Sequence, residues 1–273
     1  MTRLTAPLGL LLVLVVLAPA QNRSEAEDER DDRLAMYLRT GRYADARRLI
    51  DEMLKTEPRD DLKNVRAVFG SGPNMRVRHV AASFTCEVTE TGVVLPLTVN
   101  EKRVDWLLDT GASVTMISDA EAARLGLVIR KSKGRASDLA GGSTSVRTAI
   151  APRLAIGRTE FEHVPFLVMP ADQMPWKELP PGRQGILGLP LAIALEAMRW
   201  TRTGACYTGS TAVNASSPPT SPNLRYDRWH VVTKVDVNGK TLEFLLDTGN
   251  QAGTQLRDRS VMIASTDSSE WMS

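Results

Sequence analysis

The chain of 273 residues opens with an apolar run that is followed at once by polar sequence. Leu8 to Leu17 is almost unbroken aliphatic sequence, with Arg3 before it and the small residues Ala18 to Ala20 after it. This order is typical of a cleaved signal peptide, here residues 1–20, and predicts export to the periplasm or the extracellular space. An uncleaved anchor is the alternative, but the run is short for a bilayer span of about 20 residues. No other segment is apolar enough to span a membrane.

Residues 21–63 carry apolar side chains at intervals of three and four, the spacing of amphipathic helices. The pattern predicts a helical hairpin that turns at Gly41, with its second helix ending before Pro58. Gly41, Tyr43, Ala46 and Pro58 together resemble one tetratricopeptide repeat, but a stack needs about three repeats to bury its faces. We therefore expect a local helical cap or a propeptide-like segment; a peptide-binding helical module is the alternative.

Between residues 80 and 205 the pattern changes to short strands separated by turns. A single helical turn is expected at Asp119 to Leu125 and a short apolar helix at Leu191 to Met198. Many short strands at close spacing predict an all-β barrel or sandwich. The predicted strands are Phe84 to Val88, Val93 to Val99, Val104 to Leu108, Thr144 to Ile150, Arg153 to Ile156, Glu160 to Met169 and an exit strand at Arg199 and Trp200.

A second β pattern follows a segment rich in Ser, Thr and Pro, which predicts a linker at residues 206–223. Residues 224–273 then restart the first pattern. Val99 to Gly111 aligns with Val237 to Gly249, and both stretches end in Leu-Leu-Asp-Thr-Gly. The sequence therefore predicts an internal duplication, with 224–273 as an incomplete second domain.

The repeated Asp-Thr-Gly is the candidate catalytic motif. A carboxylate at the end of a buried strand is costly to desolvate unless another group satisfies it, and a second copy suggests that Asp109 and Asp247 meet. Two such carboxyls share one proton, so that one can activate water while the other polarises a peptide carbonyl. The residues expected to support them are Thr110, Gly111, Ser113, Thr248 and Gly249. Gly111 permits a tight turn, the Thr110 hydroxyl can bond across to its mate, and Ser113 can donate to the carboxylate.

Leu107 to Ser113 resembles the active-site motif of the retropepsin-like and pepsin-like aspartic proteases. Gly185-Ile186-Leu187-Gly188 is similar to the strand that packs beneath the catalytic loop in retropepsins, and Gly141 and Gly142 fall where that family has its flap. The resemblance implies a mainly β chain whose residues 80–205 form a closed β-barrel of the acid protease fold. It also implies an aspartic endopeptidase with a polypeptide substrate, whose site needs two domains or two subunits.

The second copy is less complete than the first. Asn250 to Gly253 replaces the Ala-Ser of the first motif, and no second flap or Ile-Leu-Gly strand follows. We therefore expect either a truncated or frame-shifted two-lobed protease or a unit completed by another chain. A close variant of the endopeptidase that pairs Asp109 with Asp247 is a homodimer that completes the active site by pairing Asp109 with its copy, with the C-terminal piece as an appendage. The alternatives to an active protease are an inactive peptide-binding or scaffold protein of the same fold and a structural β-domain.

The composition of the chain limits the classes of molecule that it is expected to bind. The net charge of +2 and the 5% aromatic content argue against a nucleic-acid surface. Three scattered histidines and two cysteines have no metal-site spacing, so we expect no metal and no cofactor. Cys86 and Cys206 lie near the two ends of the first β unit. They could form a disulfide in an oxidising compartment or remain two buried thiols.

Overall fold

The computed structural model describes residues 25–69, 72–137, 143–213 and 224–249. The predicted signal peptide, the flap glycines Gly141 and Gly142, and residues 250–273 lie outside this part. The described helices are α1 Glu25–Arg39, α2 Tyr43–Thr56, α3 Asp60–Phe69, α4 Asp119–Arg124 and α5 Leu189–Ala194. The described strands are β1 Arg76–Arg78, β2 Ala82–Thr85, β3 Glu87–Thr89, β4 Gly92–Val99, β5 Lys102–Leu108, β6 Met116–Ser118, β7 Arg130–Ser137, β8 Ser143–Ile156, β9 Thr159–Met169, β10 Gly185–Leu187, β11 Met198–Trp200, β12 Ala205–Thr208, β13 Leu224–Asp227, β14 His230–Val237 and β15 Lys240–Leu245. None of the helices in this part is long and apolar enough to cross a membrane.

Six of these strands form a closed barrel. The hydrogen-bonded order is β9, β6, β10, β5, β4 and β8, and the pairing of β8 with β9 closes the ring. Closure leaves these strands without a free edge between them. The barrel interior holds Trp106, which meets Phe166 edge-on with ring centroids 5.7 Å apart. The predicted mainly β, closed-barrel fold is confirmed.

Two elements of the barrel domain differ from the sequence prediction. The strands expected on either side of Pro152 are one strand, β8, because Pro152 falls opposite His163, where pairing with β9 is interrupted and the backbone has φ 60°. A proline needs no partner for an N–H group there. β7 was not predicted, because its sequence is polar throughout; it forms by pairing with β8.

The N-terminal helices also extend further than predicted. Residues 21–63 were expected to hold a hairpin, but α3 adds a third helix that continues to Phe69. Its apolar residues Leu62, Val65 and Val68 are buried at helical spacing and join the core formed by α1 and α2. We call residues 25–69 the helical unit.

The predicted linker at residues 206–223 begins too early. β12 runs from Ala205 to Thr208 between β11 and β2, and a 3-10 turn follows at Gly209–Ala212. The pairing of Cys206 with Phe84 ties this end to the start of the barrel domain. Both cysteines are buried free thiols, and burial together with the neighbouring Cys86 raises the pKa of Cys206 to about 12. Residues 214–223 lie outside the described part.

β13, β14 and β15 form a separate sheet, which we call the C-terminal sheet, and it repeats the β3–β4–β5 unit in the same register. The matching pairs are Thr89 with Gly92, Val99 with Lys102, Asp227 with His230 and Val237 with Lys240. Each residue is displaced by 138 positions, the separation of Thr110 from Thr248. Leu224, Tyr226, Val235 and Leu245 are exposed in this sheet.

Candidate active site

Asp109 directly follows the last residue of β5, one of the strands of the barrel wall. β5 lies between β4 and β10, so its last residues are held from both sides. The Asp109 N–H donates to the carbonyl of Leu187 in β10 at 2.9 Å. Only 6% of Asp109 is exposed. The backbone of Asp109 is therefore held by β10, and its carboxyl group lies at a buried position.

The turn after Asp109 binds its carboxylate. The N–H groups of Gly111 and Ala112 both donate to Oδ1, at 2.8 and 3.2 Å. Such bonds favour the charged form of a carboxyl group. Ser113, the next residue, is buried, and its expected bond to the carboxylate stays a prediction.

The second copy makes the same turn at the end of the C-terminal sheet. The Gly249 N–H donates to Oδ1 of Asp247 at 3.0 Å, as Gly111 does for Asp109. A Cβ added to Gly249 would lie 2.5 Å from Cγ of Asp109. The glycine of the second motif thus packs directly on the carboxyl group of the first, an approach that a side chain would block.

Four reciprocal hydrogen bonds join the two motifs. The Thr110 N–H donates to the Thr248 hydroxyl at 3.0 Å, and the Thr248 N–H donates to the Thr110 hydroxyl at 3.1 Å. Each hydroxyl in turn donates to the opposite strand end, Thr110 to the carbonyl of Leu246 at 2.7 Å and Thr248 to that of Leu108 at 2.9 Å. The two motifs are therefore related by a local two-fold arrangement within one chain.

This arrangement brings the two carboxyl groups together. Burial, the negative charge of Asp247 and a hydrogen bond between the two side chains raise the pKa of Asp109 to about 7, against the opposing N–H groups of Gly111 and Ala112. Two neighbouring carboxyls cannot both ionise at low cost. Asp109 therefore keeps its proton well above the usual pH range of an aspartic acid.

The Gly-Ile-Leu-Gly strand supports the site from below. β10 lies parallel to β5 and antiparallel to β6. A side chain at Gly185 would overlap the Trp106 ring, and a Cβ at Gly188 would lie 2.5 Å from the carbonyl carbon of Val114. The Gly188 N–H also donates to the Thr115 hydroxyl at 3.2 Å. Both glycines are needed because the strand packs directly against the core and the loop that follows Asp109.

Residues 95–191 match the protein family described as "Aspartyl protease". The match contains β5, Asp109 and its turn, and the Gly-Ile-Leu-Gly strand. Over residues 95–191 the barrel domain is therefore similar to aspartyl proteases. No curated protein matches the chain.

Two solved structures are similar to the chain in part. A retropepsin-like aspartic protease from Rickettsia conorii has 18% identity, a TM-score of 0.34, and coverage of 50% of this chain and 93% of its own. The retroviral protease-like domain of Ddi1 from Leishmania major has 20% identity, a TM-score of 0.26, and coverage of 46% and 90%.

Further residues surround the candidate site, some predicted from the sequence and some not. β7 and β8 form the hairpin frame of the predicted flap, with Ser137 paired to Ser143, while Gly141 and Gly142 lie outside the described residues. The sequence did not predict a role for Gly92, where a Cβ would lie 2.7 Å from the Thr248 carbonyl oxygen. The duplication gave no signal for it, because His230 stands at the matching position. In the described ranges, no three His, Cys, Asp or Glu side chains group as metal ligands.

The reciprocal threonine bonds lead to a stability prediction. Thr248→Val removes the acceptor of the Thr110 N–H and the donor to Leu108, so part-buried polar groups lose their partners. We expect the C-terminal sheet to be destabilised by about 1–3 kcal/mol, measured by urea unfolding followed through tryptophan fluorescence. Thr248→Ser, which keeps the hydroxyl, is the control. Equal stabilities of the Val and Ser variants would contradict this account.

Proposed function

We propose that the chain is an aspartic endopeptidase whose site pairs Asp109 with Asp247 of the same molecule. The observation that carries the proposal is the packing of the second motif on the first: the Thr110–Thr248 hydrogen bonds and the close approach of Gly249 to Cγ of Asp109 bring Asp247 next to Asp109. Burial and the neighbouring charge of Asp247 raise the pKa of Asp109 to about 7. A dyad with one proton holds both the base and the acid that amide hydrolysis needs. The match of residues 95–191 to the family described as "Aspartyl protease" supports the same reaction.

In the proposed mechanism a water molecule binds between the two carboxyl groups. The ionised member accepts a proton from the water, while the protonated member donates a hydrogen bond to the carbonyl oxygen of the scissile peptide. The water oxygen then attacks the carbonyl carbon, and the tetrahedral intermediate collapses as the nitrogen takes a proton from the dyad. The reaction needs neither a covalent enzyme intermediate nor a cofactor. A polypeptide would bind beneath the hairpin formed by β7 and β8.

Export is a further part of the proposal. Its support is the apolar run from Leu8 to Leu17, followed by Ala18 to Ala20. Mass spectrometry of the protein from the periplasm or medium should find a mature N-terminus at Gln21. A chain recovered only inside the cell with residues 1–20 still attached would contradict export.

Substitution of either dyad residue should abolish cleavage. Asp247→Asn keeps the side-chain shape but removes the shared proton system, so we expect the cleavage rate of an unfolded protein substrate to fall at least about a hundredfold. Asp109→Asn should have the same effect. Asp236→Asn, at an exposed position of the C-terminal sheet, is the control.

If Asp247→Asn left the rate unchanged while Asp109→Asn abolished it, the dyad would instead form between two molecules. A folded wild-type protein without cleavage at any pH would favour the inactive peptide-binding protein.

Cleavage should also decrease as the pH rises through about 7, because Asp109 then loses the proton that the dyad shares. A pH profile of the cleavage rate measures this decrease.

The stability of the folded protein should also decrease as the pH rises. A carboxyl group whose pKa is higher in the folded state than its ordinary value of 3.8 contributes stability that is present below 3.8 and is lost as the pH rises through about 7. The thermal midpoint of the wild type should therefore fall over this range more steeply than that of Asp109→Asn. Parallel curves for the two proteins would contradict the raised pKa.

A further inference from the structure

Helix α1 contacts the turn between β13 and β14. Arg39 donates to the carbonyl oxygen of Arg228 at 2.7 Å, and its guanidinium carbon lies 4.4 Å from the centre of the Tyr226 ring. The Arg228 side chain reaches back to Asp28 of α1 at 3.3 Å. The backbone of Arg228 has φ 51°, which a non-glycine residue adopts only at some cost. Contacts in both directions thus hold a strained turn against the helix.

The next residue of this turn inserts into the core of the helical unit. Trp229 is buried in the same hydrophobic cluster as Leu34 and Leu38 of α1. The matching turn of the first copy, displaced by 138 positions, has Glu90 and Thr91 in place of Arg228 and Trp229. The two copies therefore differ at the residues that contact α1. The turn of the second copy is suited to bind the helical unit.

The helical unit is attached to the barrel at its other end. Asn64 of α3 exchanges two hydrogen bonds with the backbone of Arg135 in β7, at 2.9 and 2.6 Å. Ser132 of β7 donates to the Ala67 carbonyl at 2.9 Å. The cluster that holds Trp229 also contains Ala112, three residues after Asp109. One continuous core therefore joins the helices, the loop that carries Asp109 and the sheet that carries Asp247.

We propose that the helical unit is an integral clamp that holds the C-terminal sheet on the barrel and so positions Asp247 beside Asp109. In the described residues this sheet has three strands, and several of its apolar side chains are exposed, so the contacts from the helical unit are the ones that join its β13–β14 turn to a hydrophobic core. Arg39 and Trp229 are the positioning residues of this clamp. The catalytic consequence of the clamp rests on the proposed function; its structural part does not. If the helical unit were instead an inhibitory pro-segment, loosening its contacts would increase the cleavage rate, whereas loosening the clamp decreases it.

Hydrogen exchange measured by mass spectrometry on the full chain tests the clamp without any catalysis. Arg39→Ala removes a charged hydrogen bond and a cation–π contact, so amides in β14 and β15 should exchange at least about tenfold faster. Trp229→Thr, which installs the residue of the first copy, should do the same. Peptides from β8 and β9 should keep the wild-type rate. Arg33→Ala, an exposed arginine on the same helix, is the matched control and should leave every peptide unchanged.

Three outcomes would overturn the clamp. Unchanged exchange of β14 and β15 in both variants would show that these residues do not hold the sheet. Uniformly faster exchange in barrel and sheet would show that they contribute only to overall stability. An increase in cleavage by Arg39→Ala would show an inhibitory pro-segment. A wild-type protein that cleaves nothing but shows the expected exchange pattern would refute the proposed function and leave the clamp in place.

In an active enzyme, the pH profile gives a second readout. If the clamp is loosened, Asp247 moves away and Asp109 becomes more hydrated, and both changes lower the pKa of Asp109. The alkaline limb of the cleavage rate should therefore move to lower pH in Arg39→Ala and return towards the wild type in Arg39→Lys, which retains the positive charge. A lower rate at every pH with an unmoved limb would overturn the positioning role.

Discussion

The site depends on the reciprocal hydrogen bonds between Thr110 and Thr248. Two carboxyl groups do not approach each other in a buried place without a force that holds them, because their ionised forms repel and both lose hydration. Here each threonine accepts from the N–H of the other and donates to the opposite strand end. Gly249 then packs on Asp109, where a larger residue would not fit. The raised pKa of Asp109 follows from this fixed geometry.

The two halves of the site are supported in different ways. Asp109 is part of a closed barrel, with β10 beneath it and two glycines that allow the strands to pack closely. Asp247 follows a sheet that has three strands within the described residues, with several exposed apolar side chains. The threonine bonds and the contacts from α1 join this sheet to the rest of the chain. An asymmetric chain can in this way present a symmetric pair of carboxyls.

Local patterns predicted most of the barrel and the two motifs. Alternating residues located β4 and β5, and the repeated Leu-Leu-Asp-Thr-Gly pointed to Asp109 and Asp247, because each signal lies within a few neighbouring positions. β7 escaped prediction because its polar sequence has no alternation, and it forms through its partners β8 and α3. The contact of Arg39 with Arg228 spans 189 positions, so no local periodicity could indicate it. The burial of Trp229 depends on the same long-range packing.

The most direct test of the intramolecular dyad is a carbon-13 NMR titration of the Asp109 carboxyl group in the wild type and in Asp247→Asn. The account predicts a pKa of about 7 in the wild type and a clearly lower value in the variant, where burial remains but the neighbouring charge is lost. A wild-type pKa near the ordinary 3.8, or a raised value that Asp247→Asn leaves unchanged, would contradict it.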